Sequence, residues 1–192
     1  KTVVLDDTTL VSGGVLDTAL NGHITVTSND GIYIQGQVGQ LDDNEKAITG
    51  SANIQSTSGN ITLIGSVDVL NDLQMVGGQV NILAGGYAYA KADQAEVYIK
   101  ARESMTLSAA TSQVPPENIP AIVQGNKLVH LVAPKMSIAG AVTVDDADGL
   151  LLLNTGSQLS ISGSVTSAGD IRLQSGVNTS ATRAVLEGTM DS

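Results

Sequence analysis

Few side chains in this 192-residue chain could do chemistry, and most of those are carboxylates. They fall in three groups: Asp6-Asp7, Asp42-Asp43-Asn44-Glu45 and Asp145-Asp146-Ala147-Asp148-Gly149. A glycoside hydrolase needs two acids facing one cleft, and a polysaccharide lyase needs a basic side chain beside carboxylates that hold a cation. Each group here instead has the composition of a corner or an insertion. Asp145, Asp146 and Asp148 lie next to a glycine turn and make a weak Ca2+ candidate, but no EF-hand or glycine-aspartate nonapeptide signature accompanies them. The competing reading is a solvated acidic turn. His23 and His130 are far apart, with no nucleophile or second histidine at a catalytic spacing, and alternation with Val129 and Leu131 turns His130 outward. No catalytic residue is assigned, no cofactor beyond the weak Ca2+ candidate is implied, and the chain reads as a non-enzyme.

Binding candidates are of two kinds. Two of the four tyrosines fall together at Tyr87-Ala88-Tyr89, as either a ligand-facing patch or a ladder packed on a flank. Residues 41–52 and 112–127 read as loops projecting from the body, where binding usually resides. The second contains Pro115, Pro116 and Pro120, and its Ile119 and Ile122 would otherwise sit in water. Sequons at Asn60-Ile61-Thr62 and Asn178-Thr179-Ser180 are too short to carry weight.

The elements that position these residues follow from a repeat. Apolar side chains make up 42% of the chain but aromatics only 2%, with no Phe and no Trp. Val, Ile, Leu and Ala are of similar size and can stack on copies of themselves, while 21 glycines supply turns. One pattern recurs: apolar, any, apolar, any, small, any, Val. It is clean in Ile32 to Val38, Ile61 to Val67, Met136 to Val142 and Leu159 to Val165. Degraded copies place the small corner residue at Gly13, Ala84, Ala109 and Gly188, beside Gly36, Gly65, Gly140 and Gly163 in the clean ones. The mean spacing is 25 residues. Period-2 alternation returning once per ~25 residues describes one strand position revisited on each circuit of a solenoid.

A second strand lies upstream, carrying Ile24 and Val26, Val97 and Ile99, Val129 and Leu131, and Leu151 and Leu153. A third follows the small residue, as in Val67 and Val69, Val142 and Val144, and Ile171 and Leu173. The expected fold is therefore all-β: a right-handed parallel β-helix of about eight coils, one domain over residues 1–192. Ile32, Ile61, Met136 and Leu159 should form one buried column, and Ile34, Leu63, Ile138 and Ile161 another. A small residue is expected at the corner because the interior narrows there.

The degenerate coils, above all Gly59-Asn-Ile-Thr-Leu63, Gly169-Asp-Ile-Arg-Leu173 and Leu159 to Val165, resemble the β-helical shaft of filamentous-haemagglutinin-type exoproteins, including two-partner-secretion adhesins. The resemblance implies a structural or adhesive shaft at the bacterial surface or outside the cell, with a host or cell-surface receptor or a glycan as partner. A glycan-active β-helix enzyme is the alternative. The net charge of −10, with basic residues scattered, argues against nucleic acid. No apolar run is long enough to span a bilayer. Little of the chain lies outside the repeat, so neighbouring coils or further copies are expected to stack end to end.

Overall fold

The computed structural model describes residues 2–5, 15–16, 21–39, 49–111, 119–175, 183–186 and 189–191. Among them every regular element is a strand, and no helix is long and apolar enough to cross a membrane. The strands run β1 (Thr2–Leu5), β2 (Val15–Leu16), β3 (His23–Ser28), β4 (Gly31–Ile34) and β5 (Gln37–Val38). Next come β6 (Ser51–Ser56), β7 (Asn60–Leu63), β8 (Ser66–Val69), β9 (Leu73–Ile82) and β10 (Tyr87–Ala90). After them follow β11 (Glu96–Leu107), β12 (Ile122–Gly125), β13 (Leu128–Ile138), β14 (Ala141–Val144) and β15 (Leu150–Ile161). The last are β16 (Ser164–Ser167), β17 (Asp170–Ser175), β18 (Arg183–Leu186) and β19 (Thr189–Asp191).

These strands form two sheets in which the described pairs are parallel. One sheet runs β1-β3-β6-β9-β11-β13-β15-β17, with β4, β7 and β18 alongside, and the other runs β2-β5-β8-β10-β12-β14-β16-β19. Both orders rise with the sequence, so the chain visits each sheet once per repeat and moves one strand along. The three short strands expected per repeat are separate in β3, β4, β5 and in β6, β7, β8. In β9, β11, β13 and β15 the first two fuse into one strand of 10 to 12 residues. The old boundary survives there as a register shift, between Ala101 and Ser104 and again between Ala133 and Lys135.

Alternating apolar residues point inward and stack on the same positions of neighbouring strands. Ile32, Ile61, Val80, Met105, Met136 and Leu159 form one column, and Ile34, Leu63, Ile82, Leu107, Ile138 and Ile161 the next. All are at most 2% exposed, as the repeat required. The upstream strand adds Val97, Val129 and Leu151, then Ile99, Leu131 and Leu153, and the second sheet adds Val67, Ala88, Val123, Val142 and Val165. Each buried Val, Leu or Ile is worth about 1.5 to 3 kcal/mol relative to exposure. The core is thus a set of continuous aliphatic columns, without aromatic rings among the described residues.

The corner before the second sheet is a backbone ladder. Ser66, Tyr87, Ile122, Ala141 and Ser164 each donate a backbone N–H, at 2.8 to 3.0 Å, to Gly36, Gly65, Gly86, Ala121 and Gly140 respectively. The corner positions are therefore Gly36, Gly65, Gly86, Ala121, Gly140 and Gly163. Ala84 and Ala109, expected there from degraded copies of the motif, are displaced. Two extra residues, including Gly85 at φ +80°, lengthen the corner after β9, and the insertion after Leu107 separates Ala109 from it. Gly13 and Gly188 lie outside the described residues.

The reason for glycine at this corner also differs from the one expected. A Cβ on Gly65 would lie 1.8 Å from the carbonyl oxygen of Gly36, and one on Gly163 2.0 Å from that of Gly140. The obstacle is the backbone of the preceding repeat, not a crowded interior. Narrowing occurs at the other bend, inside the first sheet, where Ser28 pairs with Ser56, Gly77 with Ala101, and Ala133 with Thr155. All six are buried, and all are small or medium in size.

Two strand assignments change as well. Ile171 and Leu173 belong to β17 and pair with Leu151 and Leu153, so they open a new repeat instead of closing the previous one. Residues 122–125 form β12, in register between β10 and β14, which takes Ile122 out of the projecting loop. That insertion leaves after Leu107 and returns at Ala121, whose N–H bonds the Ser108 carbonyl at 2.9 Å. Residues 49–52 likewise belong to the body: Thr49 and Gly50 are buried and Ser51 opens β6.

Candidate functional site

In β10 the alternation buries Ala88 and Ala90 and leaves Tyr87 and Tyr89 half-buried on the outer face of the second sheet. Tyr87 stands between Ser66 and Ile122, and Tyr89 between Asp68 and Gln124, on the adjacent strands. The two rings sit 5.5 Å apart and tilted by 39°. Tyr87 Oη donates to Gln124 Oε1 at 3.0 Å, and Gln124 Nε2 donates to Asp145 Oδ2 at 2.7 Å. Two aromatic faces, an amide and a carboxylate are thereby wired across three successive strands. Burial, with the Asp68 and Asp145 charges adding to it, pushes both phenols up from their ordinary value, so they stay protonated donors.

Asp68 is only 3% exposed. Burial raises its carboxyl above the ordinary value of 3.8, against the opposing pull of a hydrogen bond from Ser66 and the charge of Lys91. Nothing in the spacing of the sequence marked Asp68, which alternates with Val67 and Val69 as a surface residue would.

The acidic turn does not gather its carboxylates. Asp145 accepts from Gln124, while Asp146 Oδ1 accepts the Asp148 backbone N–H at 2.7 Å and lies 3.7 Å from Lys127 Nζ. Among the described residues no three His, Cys, Asp or Glu side chains converge as a metal-ion ligand set. His130 faces outward, as its alternation indicated. Its ring meets Tyr98 edge-on at 5.2 Å, and its Nε2 accepts from Asn154 Nδ2 at 2.9 Å, an assignment that puts the ring proton on Nδ1. Burial lowers its pKa.

A groove of about 900 Å3 runs along the first-sheet bend beside Lys100, Arg102, Val132, Pro134, Asn154 and Leu173. Among the described residues its lining holds two basic side chains and no carboxylate, and Arg102 is already engaged with the Ser56 carbonyl at 3.1 Å. Sequence reading missed this groove because its walls come from four repeats. Of the loop candidates, Ile119 is exposed at 42%, Ile122 sits in β12, and Pro115 and Pro116 lie outside the described residues.

Comparison with family models, curated proteins and solved structures finds no match for this chain.

Proposed function

We propose that this chain is a segment of a structural or adhesive shaft of a bacterial surface or secreted protein, of the filamentous-haemagglutinin type. In this reading the two parallel sheets close into a right-handed β-helix of about eight coils, roughly 40 Å long at the ~4.8 Å strand spacing. The observation that supports it is the stacking of aliphatic columns from strand to strand in both sheets, which resumes on the same inward positions after the register shift at each first-sheet bend. Such a body is stiffened along its axis by every backbone bond between repeats and can lengthen by adding repeats. Neighbouring coils, or further copies end to end, are the partners that the ladder admits, and the outer faces remain for a receptor or glycan. Its job is length, stiffness and resistance to proteolysis outside the cell.

Cryo-electron microscopy of the native material carrying this chain tests the reading. A continuous rod with an axial repeat near ~4.8 Å is expected. Compact isolated particles without that repeat would contradict it.

A further inference from the structure

We propose that the outer face of the second sheet around Tyr87 and Tyr89 binds a neutral sugar chain, with one pyranose ring stacked on the tyrosines. This gives the adhesive half of the reading above a place and a ligand class, and its test is independent of the shaft architecture.

Three observations on that face point to such a ligand. First, the chain has no Phe or Trp and keeps its core aliphatic, yet β10 sets two aromatic rings side by side, 5.5 Å apart, on an outward face. The apolar C–H face of a pyranose matches the area and polarity of such a platform. Second, the polar groups at the edge are hydroxyl, amide and carboxylate: Tyr87 Oη, Gln124 and Asp145 are already joined by bonds of 3.0 and 2.7 Å. Gln124 and Asp145 keep acceptor lone pairs for sugar hydroxyls, and their mutual bonds hold them in place before a ligand arrives. Third, the charge excludes an acidic glycan. Asp68 and Asp145 flank the rings, and the chain carries a net charge of −10. An anionic sugar would meet like charge, whereas neutral hydroxyls donate to carboxylates without penalty.

The bound segment would lie across β10, β12 and the end of β14, because the rings, Gln124 and Asp145 are spread over successive strands and not along one. A chain of several sugars fits that span better than a single sugar.

The chain has no tryptophan, and two of its four tyrosines stand on this face, so a ligand-dependent change in tyrosine emission that Tyr98→Ala leaves in place reports on it. The probes are cellohexaose, maltohexaose and laminarihexaose, with polygalacturonate as the anionic comparator. At least one neutral hexamer should saturate the emission change, and Tyr89→Ala should weaken that binding by about tenfold. Asp145→Asn, an exposed and conservative change, should weaken it less, and Tyr98→Ala, on the other sheet, should leave it unchanged. Circular dichroism on each variant separates loss of binding from loss of fold, with Asp145→Asn deciding the matter if Tyr89→Ala unfolds. Saturation by none of the three hexamers, binding unaffected by Tyr89→Ala or by Asp145→Asn in its place, or tighter binding of polygalacturonate would each overturn the proposal.

Discussion

At the bend through Ser56, Ala101 and Ala133 the chain turns around its own side chains, whereas at the corner through Gly65, Gly140 and Gly163 it turns against the backbone of the preceding repeat. Both bends select small residues, but for different reasons. In the first bend the column holds Ser, Gly, Ala and Thr interchangeably, and Thr155 satisfies its hydroxyl on the carbonyls of Pro134 and Gln158 at 3.2 and 2.8 Å. Size matters there, and polarity is tolerated: Thr155 is satisfied, whereas the buried Ser56 hydroxyl has no hydrogen-bond partner among the described residues. In the second, the site of the missing Cβ is filled by a carbonyl oxygen that belongs to the ladder itself. That oxygen cannot move without breaking the bond it accepts.

The sharpest consequence concerns Gly163. Gly163→Ala should cost about 2 to 3 kcal/mol, seen as a lowered denaturation midpoint, because the only relief is a shift of the backbone. A melting curve equal to the parent's would show that this corner is soft and would erase the distinction between the bends.

The first bend should respond to volume alone. Ala133→Leu is expected to cost about 1 to 3 kcal/mol by overpacking, while Ala133→Ser should stay within about 1 kcal/mol. Equal losses for the two variants would mean that polarity governs this column, contrary to the Ser28 and Ser56 pair already in it.

The smallest effect concerns charge just beyond the glycine corner, at Asp68 in β8. Its folded-state pKa is raised above 3.8, chiefly by burial, so the folded state holds its proton more tightly than the unfolded chain. That contribution to stability is fully present below the unfolded value and is lost as pH rises through the folded one. Asp68→Asn should therefore gain stability relative to the parent at about pH 7 and much less at about pH 3. Thermal melts at both values check this, and an equal difference at the two would refute the assignment.

The aliphatic columns could be read from the sequence because period-2 alternation and a return about every 25 residues are one-dimensional signals. Ile32 on Ile61 and Met136 on Leu159 follow directly from them. The first-bend column could not be read, since Ser56, Gly77, Ala101 and Thr155 share size but not chemistry. Degraded copies of the motif misled at Ala84 and Ala109, where extra residues move the corner to Gly86 and Ala121. Gly59-Asn-Ile-Thr-Leu63 and Gly169-Asp-Ile-Arg-Leu173 look alike, yet the first spans β7 and the second β17, on opposite sides of the bend; the turn glycine and alternation are common to both places. At the candidate site the pairing of Tyr87 with Tyr89 was visible as neighbours on one face. The link from Gln124 to Asp145 joins residues 21 apart and exists only once the register is known.

Register is therefore what the account stands on, and engineered cysteines test it most directly, since the chain contains none of its own. Thr143 in β14 pairs with Thr166 in β16, on the outer face, with their hydroxyls 3.3 Å apart. Neighbouring strands lie at ~4.8 Å, within the Cα separation that a disulfide spans. Thr143→Cys combined with Thr166→Cys should bridge rapidly under mild oxidation in the folded protein. Thr143→Cys combined with Ser164→Cys, on the same face but two residues out of register, should not. Bridging of the offset pair, or failure of the matched pair in a folded variant, would contradict the stacked ladder.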